Sequence, residues 1–213
     1  MPKFILINTL NELGPPRYIT TIESPIERLY ANNKCIIEQF EVGKDVSSYV
    51  QGLKRAQTND IDVVVLDALN DSKTVRCMLD TLETGATVIA ILNAPSTVDA
   101  VAKVLSFLEP IESIRARAVF ASHLLCVLAQ RLVHKIGGGR TLAYEFLPNK
   151  EIVPKVLASG TMDQLSHILR NMRAFDATPI EKSLASLVQE GAIRLEDALF
   201  ETADPNFLKE LLR

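Results

Sequence analysis

Cysteine and histidine are the residue types in this chain best able to bind a transition metal or to act as a nucleophile. The chain has three of each, namely Cys35, Cys77, Cys126, His123, His134 and His167. No CxxC pair and no metal-ligand spacing joins them, and each cysteine lies in an apolar stretch. The pattern therefore favours three reduced thiols in the protein core and predicts no metal site.

A phosphate-binding loop of the GxxxxGK[ST] type would offer backbone N–H groups, a lysine and a hydroxyl to a nucleotide. The sequence contains no such motif. Its glycine cluster, Gly137–Gly139, is followed by Arg140 and lies between two β-prone segments, Cys126–His134 and Arg140–Leu147. This placement predicts a hairpin turn and not a phosphate loop.

The overall composition is that of a globular protein with a sizeable core. Of the 213 residues, 47% are hydrophobic and 23% are charged, and the formal net charge is -3. A mildly acidic chain without a basic stripe argues against nucleic-acid binding. No apolar run approaches the roughly 20 residues that cross a membrane. We expect a soluble, cytoplasmic protein with no nucleic-acid partner and no membrane span.

Alternating strand and helix patterns in the first part of the chain predict a parallel α/β sheet. The apolar run Val63–Leu66, flanked by Asp62 and Asp67, is typical of a strand buried on both faces. Thr87–Leu92 gives a second buried strand. Further strands are predicted at Tyr18–Glu23 and Cys35–Val42, and helices at 4–12, 45–58, 71–84 and from Val98 onwards.

The β pattern ends near residue 148. The segment 149–213 has the pattern of four or five short helices, one of which carries Ile180, Leu184, Leu187 and Val188 on one face. We therefore predict an α/β domain over residues 1–148 and a C-terminal helical subdomain over residues 149–213.

Six segments, in this order, resemble the motor ATPases of type II and type IV secretion systems, particularly the type IV pilus retraction (PilT-like) branch. They are TIESPIE (21–27), CIIEQFEVGKD (35–45), DVVVLDALND (62–71), LETGATVIAILNAPS (82–96), AQRLVHKIGGGRTLAYEFL (129–147) and SLASLVQEGAIRLEDAL (183–199). The resemblance implies a partial RecA-like sheet of the P-loop NTPase type, in a family that hydrolyses ATP at the subunit contacts of a ring. It aligns residues 1–14 with the helix after the phosphate loop. The strand before that loop is then absent, and we expect the first helix or another chain to cover the open sheet edge.

Several positions that the resemblance assigns to catalysis carry residues unable to perform it. The glutamate that polarises the attacking water falls on Ala68, whose methyl group cannot act as a base. The histidine of the family's histidine box falls on Asn93, which carries no charge near neutral pH. The arginine positions that reach the γ-phosphate carry Lys44, Gln51, Lys54 and Thr58. Lysine keeps the charge but lacks the planar fork of arginine.

Three residues remain as vestigial candidates for the site. Glu23 survives from the family's aspartate box, with Ser24 as its neighbour, and is the catalytic candidate; the alternative is an ordinary strand-end acid. Asp67 could hold Mg²⁺ through water and contribute to cofactor binding, or it could cap the helix 71–84. Lys54 is the other cofactor-binding candidate. No metal ligand is predicted.

These losses spare apolar positions, which favours a folded but non-catalytic relative of the motor. Such a protein would act as an interaction or regulatory subunit of a homo- or hetero-oligomer, bound to a paralogous motor ATPase or to a pilus or secretion platform protein, and no cofactor is expected. The alternative is a fragment of a nucleotide-binding ATPase whose Walker A part lies outside this chain, with ATP and Mg²⁺ as cofactors. A third hypothesis is a module that keeps the ring-forming surface alone.

Overall fold

Four short parallel strands form the first sheet of the protein. The structure is a computed structural model, which describes residues 2–108, 113–150, 152–161, 163–171 and 176–213. The strands are β1 (Tyr18–Glu23), β2 (Ile36–Glu41), β3 (Val63–Leu66) and β4 (Thr87–Ala90), in the order β2-β1-β3-β4. All residues of β3 are buried. The prediction of a strand covered on both faces is therefore confirmed.

Helices cover both faces of this sheet. They are α1 (Pro2–Leu13), α2 (Tyr49–Thr58) and α3 (Ser72–Glu83). Helix α1 packs through Ile7 against Ile19 and Val63 on one face. On the opposite face α2 and α3 pack together, and Gly52 of α2 lies so close to β1 that a Cβ would come 2.7 Å from Ile22 Cδ1. Glycine therefore allows this close approach, because a larger residue would force the Ile22 side chain or α2 to move.

Two details of this region differ from the prediction. Helix α2 begins at Tyr49 and not near Asp45, because the Ser48 side chain accepts the N–H of Gln51 and caps the helix. Asp45 instead accepts the backbone N–H of Glu41 at 2.8 Å. The core contacts of α1 lie on one face of the sheet. That the first helix or another chain covers the open edge of the sheet stays a prediction.

A β-hairpin organises the second of two compact units. The first unit comprises residues 1–93 and 106–119, and the second comprises residues 94–105 and 120–213. Strands β5 (Cys126–His134) and β6 (Arg140–Pro148) pair antiparallel. Gly137, Gly138 and Gly139 between them have φ values of 85°, 103° and 79°, a region that residues with a side chain rarely adopt. The turn predicted for the glycine cluster is confirmed.

Short helices complete the described part of the chain. They are α4 (Thr97–Ser106), α5 (Ser113–His123), α6 (Val153–Ser159), α7 (Asp163–Arg170), α8 (Ile180–Gln189), α9 (Leu195–Glu201) and α10 (Pro205–Leu211). Val133 of the hairpin shares a hydrophobic core with Ile180 and Leu184 of α8, and Leu187 and Val188 pack against it. The apolar face predicted for α8 is therefore confirmed.

The predicted fold class, an α/β protein with a parallel sheet and a helical C-terminal part, is confirmed by these elements. The boundary predicted near residue 148 falls between β6 and α6, inside the second compact unit. The division into domains over 1–148 and 149–213 stays a prediction.

One of the three cysteines is not a core residue. Cys35 and Cys77 are buried as predicted, whereas Cys126 is exposed. Cys126 begins β5 on the side shared with the exposed Leu128, because alternate residues of a strand point to the same face. The prediction of a buried Cys126 was wrong because it was based on the apolar residues next to Cys126 in the sequence and not on the alternation of side chains between the two faces of the strand.

Candidate functional site at the carboxyl ends of β1 and β3

The strand order places a crevice at the carboxyl ends of β1 and β3. The chain passes from β1 to β2 on one side and then returns to β3 and β4 on the other, so its direction reverses between β1 and β3. Open parallel α/β sheets bind ligands outside the carboxyl ends of the strands at such a reversal. Glu23 ends β1 and Asp67 directly follows β3, so both acids predicted from the sequence lie at this position.

Glu23 is a buried carboxylate whose hydrogen-bonding capacity is used inside the protein. Only 1% of the residue is exposed. Its Oε2 accepts from the Lys3 ammonium at 2.8 Å, and its Oε1 accepts from the Thr21 hydroxyl at 2.7 Å and from the Gln39 amide at 3.2 Å. A buried carboxylate without such partners is strongly destabilising. These donors therefore explain how the charge of Glu23 is tolerated.

Lys3 supplies the positive charge of the site. Its ammonium lies 2.8 Å from Glu23 Oε2 and 3.6 Å from Oε2 of the exposed Glu27. Burial alone would lower the pKa of Lys3, but the hydrogen bond to Glu23 and the charges of Glu23, Glu27 and Asp67 together raise it. Lys3 is therefore protonated at neutral pH and acts as the counter-ion of Glu23.

Asp67 ties the end of β3 to the segment that follows β1. Its Oδ2 accepts the backbone N–H of Ser24 at 2.8 Å, and its Oδ1 accepts the Tyr49 hydroxyl at 2.6 Å. Burial of Tyr49, together with its hydrogen bond to Asp67 and the charge of that carboxylate, raises the pKa of the phenol. Tyr49 therefore remains a hydrogen-bond donor at neutral pH, and both oxygens of Asp67 have partners.

The residue that caps α3 is Asp71. Its carboxylate accepts the Thr74 N–H at 2.9 Å and the Thr74 hydroxyl at 2.6 Å. The hydrogen bond from that hydroxyl lowers the pKa of Asp71, and burial opposes the shift without reversing it. The alternative in which Asp67 caps this helix is wrong, because residues 68–70 separate Asp67 from it.

The structure brings Glu23 and Asp67 to one place but does not bring Lys54 to them. Lys54 is exposed on α2, and it lies about 7.5 Å along the helix axis from Tyr49. Within the described ranges, no hydrogen bond or ion pair joins Lys54 to either acid. A contribution of Lys54 to cofactor binding has no geometric support here and stays a prediction.

Lys3 and Tyr49 are the residues of this site that sequence reasoning missed. Lys3 stands four residues before the buried Ile7, so both lie on the same face of α1. That spacing was a usable signal, because a lysine on a buried helical face needs a carboxylate partner. Tyr49 begins α2, and no local pattern marks its hydroxyl for Asp67.

The residues of the crevice do not fit a magnesium nucleotide in the arrangement seen. The carboxylates of Glu23 and Asp67 already accept internal donors, and Ala68 offers no base beside them. A small cavity of about 140 Å³ lies beside the ion pair of Lys3 and Glu23 and is lined by Lys3, Phe4, Glu27, Arg28 and Tyr30, but not by Glu23 or Asp67. The described residues also contain no group of three or more acidic, histidine or cysteine side chains able to hold a metal ion.

Two adjacent threonines of β1 provide a matched test of this hydrogen-bond network. Both are fully buried; Thr21 donates to Glu23 at 2.7 Å, whereas the Thr20 hydroxyl has no hydrogen-bond partner among the described residues. We expect Thr20→Val to raise the free energy of unfolding by about 1 kcal/mol, because it removes an unpaired buried hydroxyl. Thr21→Val should lower it by about 1–3 kcal/mol, because Glu23 loses a donor. Urea denaturation measures both, and shifts of the same sign would contradict the assignment.

A parallel sheet with helices on both faces and a crevice at its carboxyl edge defines an open-sheet α/β protein. The family model "Type II/IV secretion system protein" matches residues 4–192, and the chain belongs to this family. This match, together with the PilT relatives and the PilT structure described next, confirms the resemblance seen in the sequence segments and its PilT-like character.

The relatives of the chain include pilus motors and a protein without an assigned role. The chain is 32% identical over 176 residues to the uncharacterized protein YggR of Escherichia coli K12, covering 83% of this chain and 54% of that one. It is 28% identical over 181 residues to the type IV pilus retraction ATPase PilT of Pseudomonas aeruginosa, with coverage of 85% and 53%. The crystal structure of the pilus retraction motor PilT with bound ADP matches with a TM-score of 0.86 and 30% identity, over 96% of this chain and 58% of that chain.

The chain spans about half the length of the curated relatives it matches. Within the described part of the chain, no helix combines the length and the hydrophobicity needed to span a membrane.

Proposed function

We propose that this chain is a non-catalytic relative of the pilus retraction and secretion motors. It acts as an interaction or regulatory subunit, bound to an active motor ATPase or to a platform protein of the same apparatus. The observation that carries the proposal is the buried ion pair between Lys3 and Glu23 in the crevice.

The internal contacts of Glu23 and of Asp67 both oppose the binding of a magnesium nucleotide. A divalent cation could reach Glu23 only after the Lys3 ammonium had left, and separating a buried ion pair is strongly unfavourable. Asp67 is held by Ser24 and Tyr49 and would have to give up these donors as well. Even with a nucleotide in place, Ala68 could not activate the attacking water.

A second candidate function rests on the coverage of the relatives. Because the chain matches about half of their length, it could be one part of a nucleotide-binding ATPase whose Walker A part lies outside this sequence. In that case ATP and Mg²⁺ would be the cofactors of the assembled protein.

Nucleotide binding by the purified chain distinguishes the two candidates. We expect no saturable binding of a fluorescent ATP analogue with Mg²⁺, and no nucleotide-dependent shift in a thermal unfolding scan that shows a cooperative transition. The PilT ATPase of Pseudomonas aeruginosa serves as the positive control. Micromolar binding with thermal stabilisation would contradict the non-catalytic proposal and favour the second candidate. Glu23, Asp67 and Lys54 would then be the first residues to replace.

A further inference from the structure

The small cavity beside the ion pair of Lys3 and Glu23 has both charged groups and aromatic rings in its wall. It measures about 140 Å³. A protein cavity of about 150 Å³ is large enough to hold benzene, so this cavity offers space for a ligand of about one ring. Small-molecule sites combine apolar walls with a few polar groups that fix the orientation of the ligand. The lining shows this combination, since it consists of Lys3, Phe4, Glu27, Arg28 and Tyr30.

Arg28 is a cation of this lining that has no ionic partner among the described residues. Its guanidinium carbon lies 4.5 Å from the centre of the Phe4 ring, which is a cation–π contact. The N–H groups of this guanidinium form no ion pair and no hydrogen bond with any residue that the structure describes. A guanidinium binds a carboxylate through two parallel N–H···O hydrogen bonds. Arg28 is therefore available to receive the carboxylate of a ligand.

The two acids near the cavity both contact Lys3 and leave Arg28 without a carboxylate. Glu23 lies 2.8 Å from the Lys3 ammonium, and Glu27 lies 3.6 Å from it. Because these two carboxylates are already present, a ligand with several negative charges, such as a phosphate, would be repelled. The charges around the cavity therefore favour a ligand that carries a single carboxylate.

Phe4 and Tyr30 supply the apolar part of the wall. Their ring centroids are 5.7 Å apart, the ring planes differ by 30°, and both residues are half-buried. Burial and the negative charge of Glu23 raise the pKa of Tyr30, so its phenol is uncharged at neutral pH. Aromatic rings make favourable contacts with flat apolar groups. The apolar part of the ligand is therefore expected to be flat.

We propose that this cavity binds a small monocarboxylic acid with a flat apolar body, about the size of benzoate. Arg28 holds the carboxylate, and Phe4 and Tyr30 contact the apolar body. Because the site is open to solvent and offers one bidentate contact, we expect a dissociation constant of about 0.1–1 mM. The inference goes beyond the proposed function and is independent of it, because neither Glu23 nor Asp67 lines the cavity.

Titration of the isotope-labelled chain with sodium benzoate, followed by NMR at constant ionic strength, tests the proposal. We expect saturable shifts in the amide signals of the residues around Phe4 and Tyr30. Benzamide has nearly the same shape but no charge. It should bind roughly tenfold more weakly, because it cannot form the charge-assisted pair with Arg28.

Two arginine variants separate the assigned contact from a general loss of positive charge. Arg28→Met should weaken benzoate binding about tenfold. Arg55→Met is the matched control, because the Arg55 guanidinium carbon lies 4.3 Å from the centre of the Phe40 ring but does not line the cavity. It should leave benzoate binding unchanged. Glu27→Gln should strengthen binding about two- to threefold, because it removes a neighbouring negative charge. The three positions are exposed, so the fold should be kept.

Several outcomes would overturn the proposal. One is the absence of saturable shifts up to about 20 mM benzoate, well above the expected dissociation constant. Others are equal affinities for benzoate and benzamide, or an unchanged affinity in Arg28→Met. Equal shifts with chloride or inorganic phosphate would indicate a general response to anions and refute a specific site. A peptide ending in phenylalanine that binds more tightly than benzoate would assign the cavity to the end of a polypeptide and not to a free acid.

Discussion

Replacing Lys3 by methionine is expected to lower the free energy of unfolding by about 3–5 kcal/mol, because it leaves a carboxylate buried without its counter-ion. Methionine keeps the length and most of the volume of the lysine side chain, so packing of α1 on the sheet should change little. The side chains of Lys3 and Glu23 are 8% and 1% exposed, and water therefore cannot replace the lost partner. Urea denaturation followed by circular dichroism measures the change.

A second variant separates the lost charge from lost packing. Adding Glu23→Gln to Lys3→Met removes both charges and should recover most of the stability, because a neutral amide is far less costly to bury than an unpaired carboxylate. Lys44→Met is the matched control, since Lys44 pairs with Glu41 at 2.6 Å but its side chain is 73% exposed. Exposed pairs contribute about 0–1 kcal/mol. If the single and the double variant lost the same stability, the ion pair would not be what holds the crevice together.

The positions of Glu23 and Asp67 followed from the sequence because they depend on strands. The alternation of strands and helices predicted a parallel sheet, and the carboxyl ends of parallel strands meet at one edge. The groups that these two acids contact could not be predicted from the sequence. Whether Glu23 faces a metal ion, water or an ammonium is decided by Lys3, twenty residues away. The spacing of Lys3 and Ile7 indicates that Lys3 needs a carboxylate partner, but it does not indicate which one.

The misassigned cap is the opposite case, because a local pattern for it was available. Asp67 and Asp71 both precede α3, and either acid could accept its first N–H groups. The sequence Asp71-Ser72-Lys73-Thr74 places Thr74 three residues after Asp71, the usual spacing for a capping interaction. That spacing was present in the sequence and would have decided the question. The role of Asp67 could not be decided locally, because its donors Ser24 and Tyr49 come from other elements.

The second large effect is expected at Leu184, which is fully buried in the core that joins α8 to the hairpin. Leu184→Ala should lower the free energy of unfolding by about 2–5 kcal/mol, because it removes buried methyl groups and leaves a cavity. Leu29→Ala removes the same atoms from a side chain that is 84% exposed, and it should change stability by less than about 0.5 kcal/mol. Urea denaturation of the two variants compares them directly.

The same position tests whether a domain boundary lies near residue 148. Val133 precedes that boundary and Leu184 follows it, yet both are buried in one cluster. A double-mutant cycle with Val133→Ala and Leu184→Ala should give a coupling of about 0.5–3 kcal/mol, since side chains that share a core are not independent. Additive effects would indicate that the helices after residue 148 form a separate subdomain, as the loss of the β pattern suggested. Strong coupling would mean that the hairpin belongs to the same folding unit as the C-terminal helices, and that the end of a β pattern marks a change of secondary structure within one core.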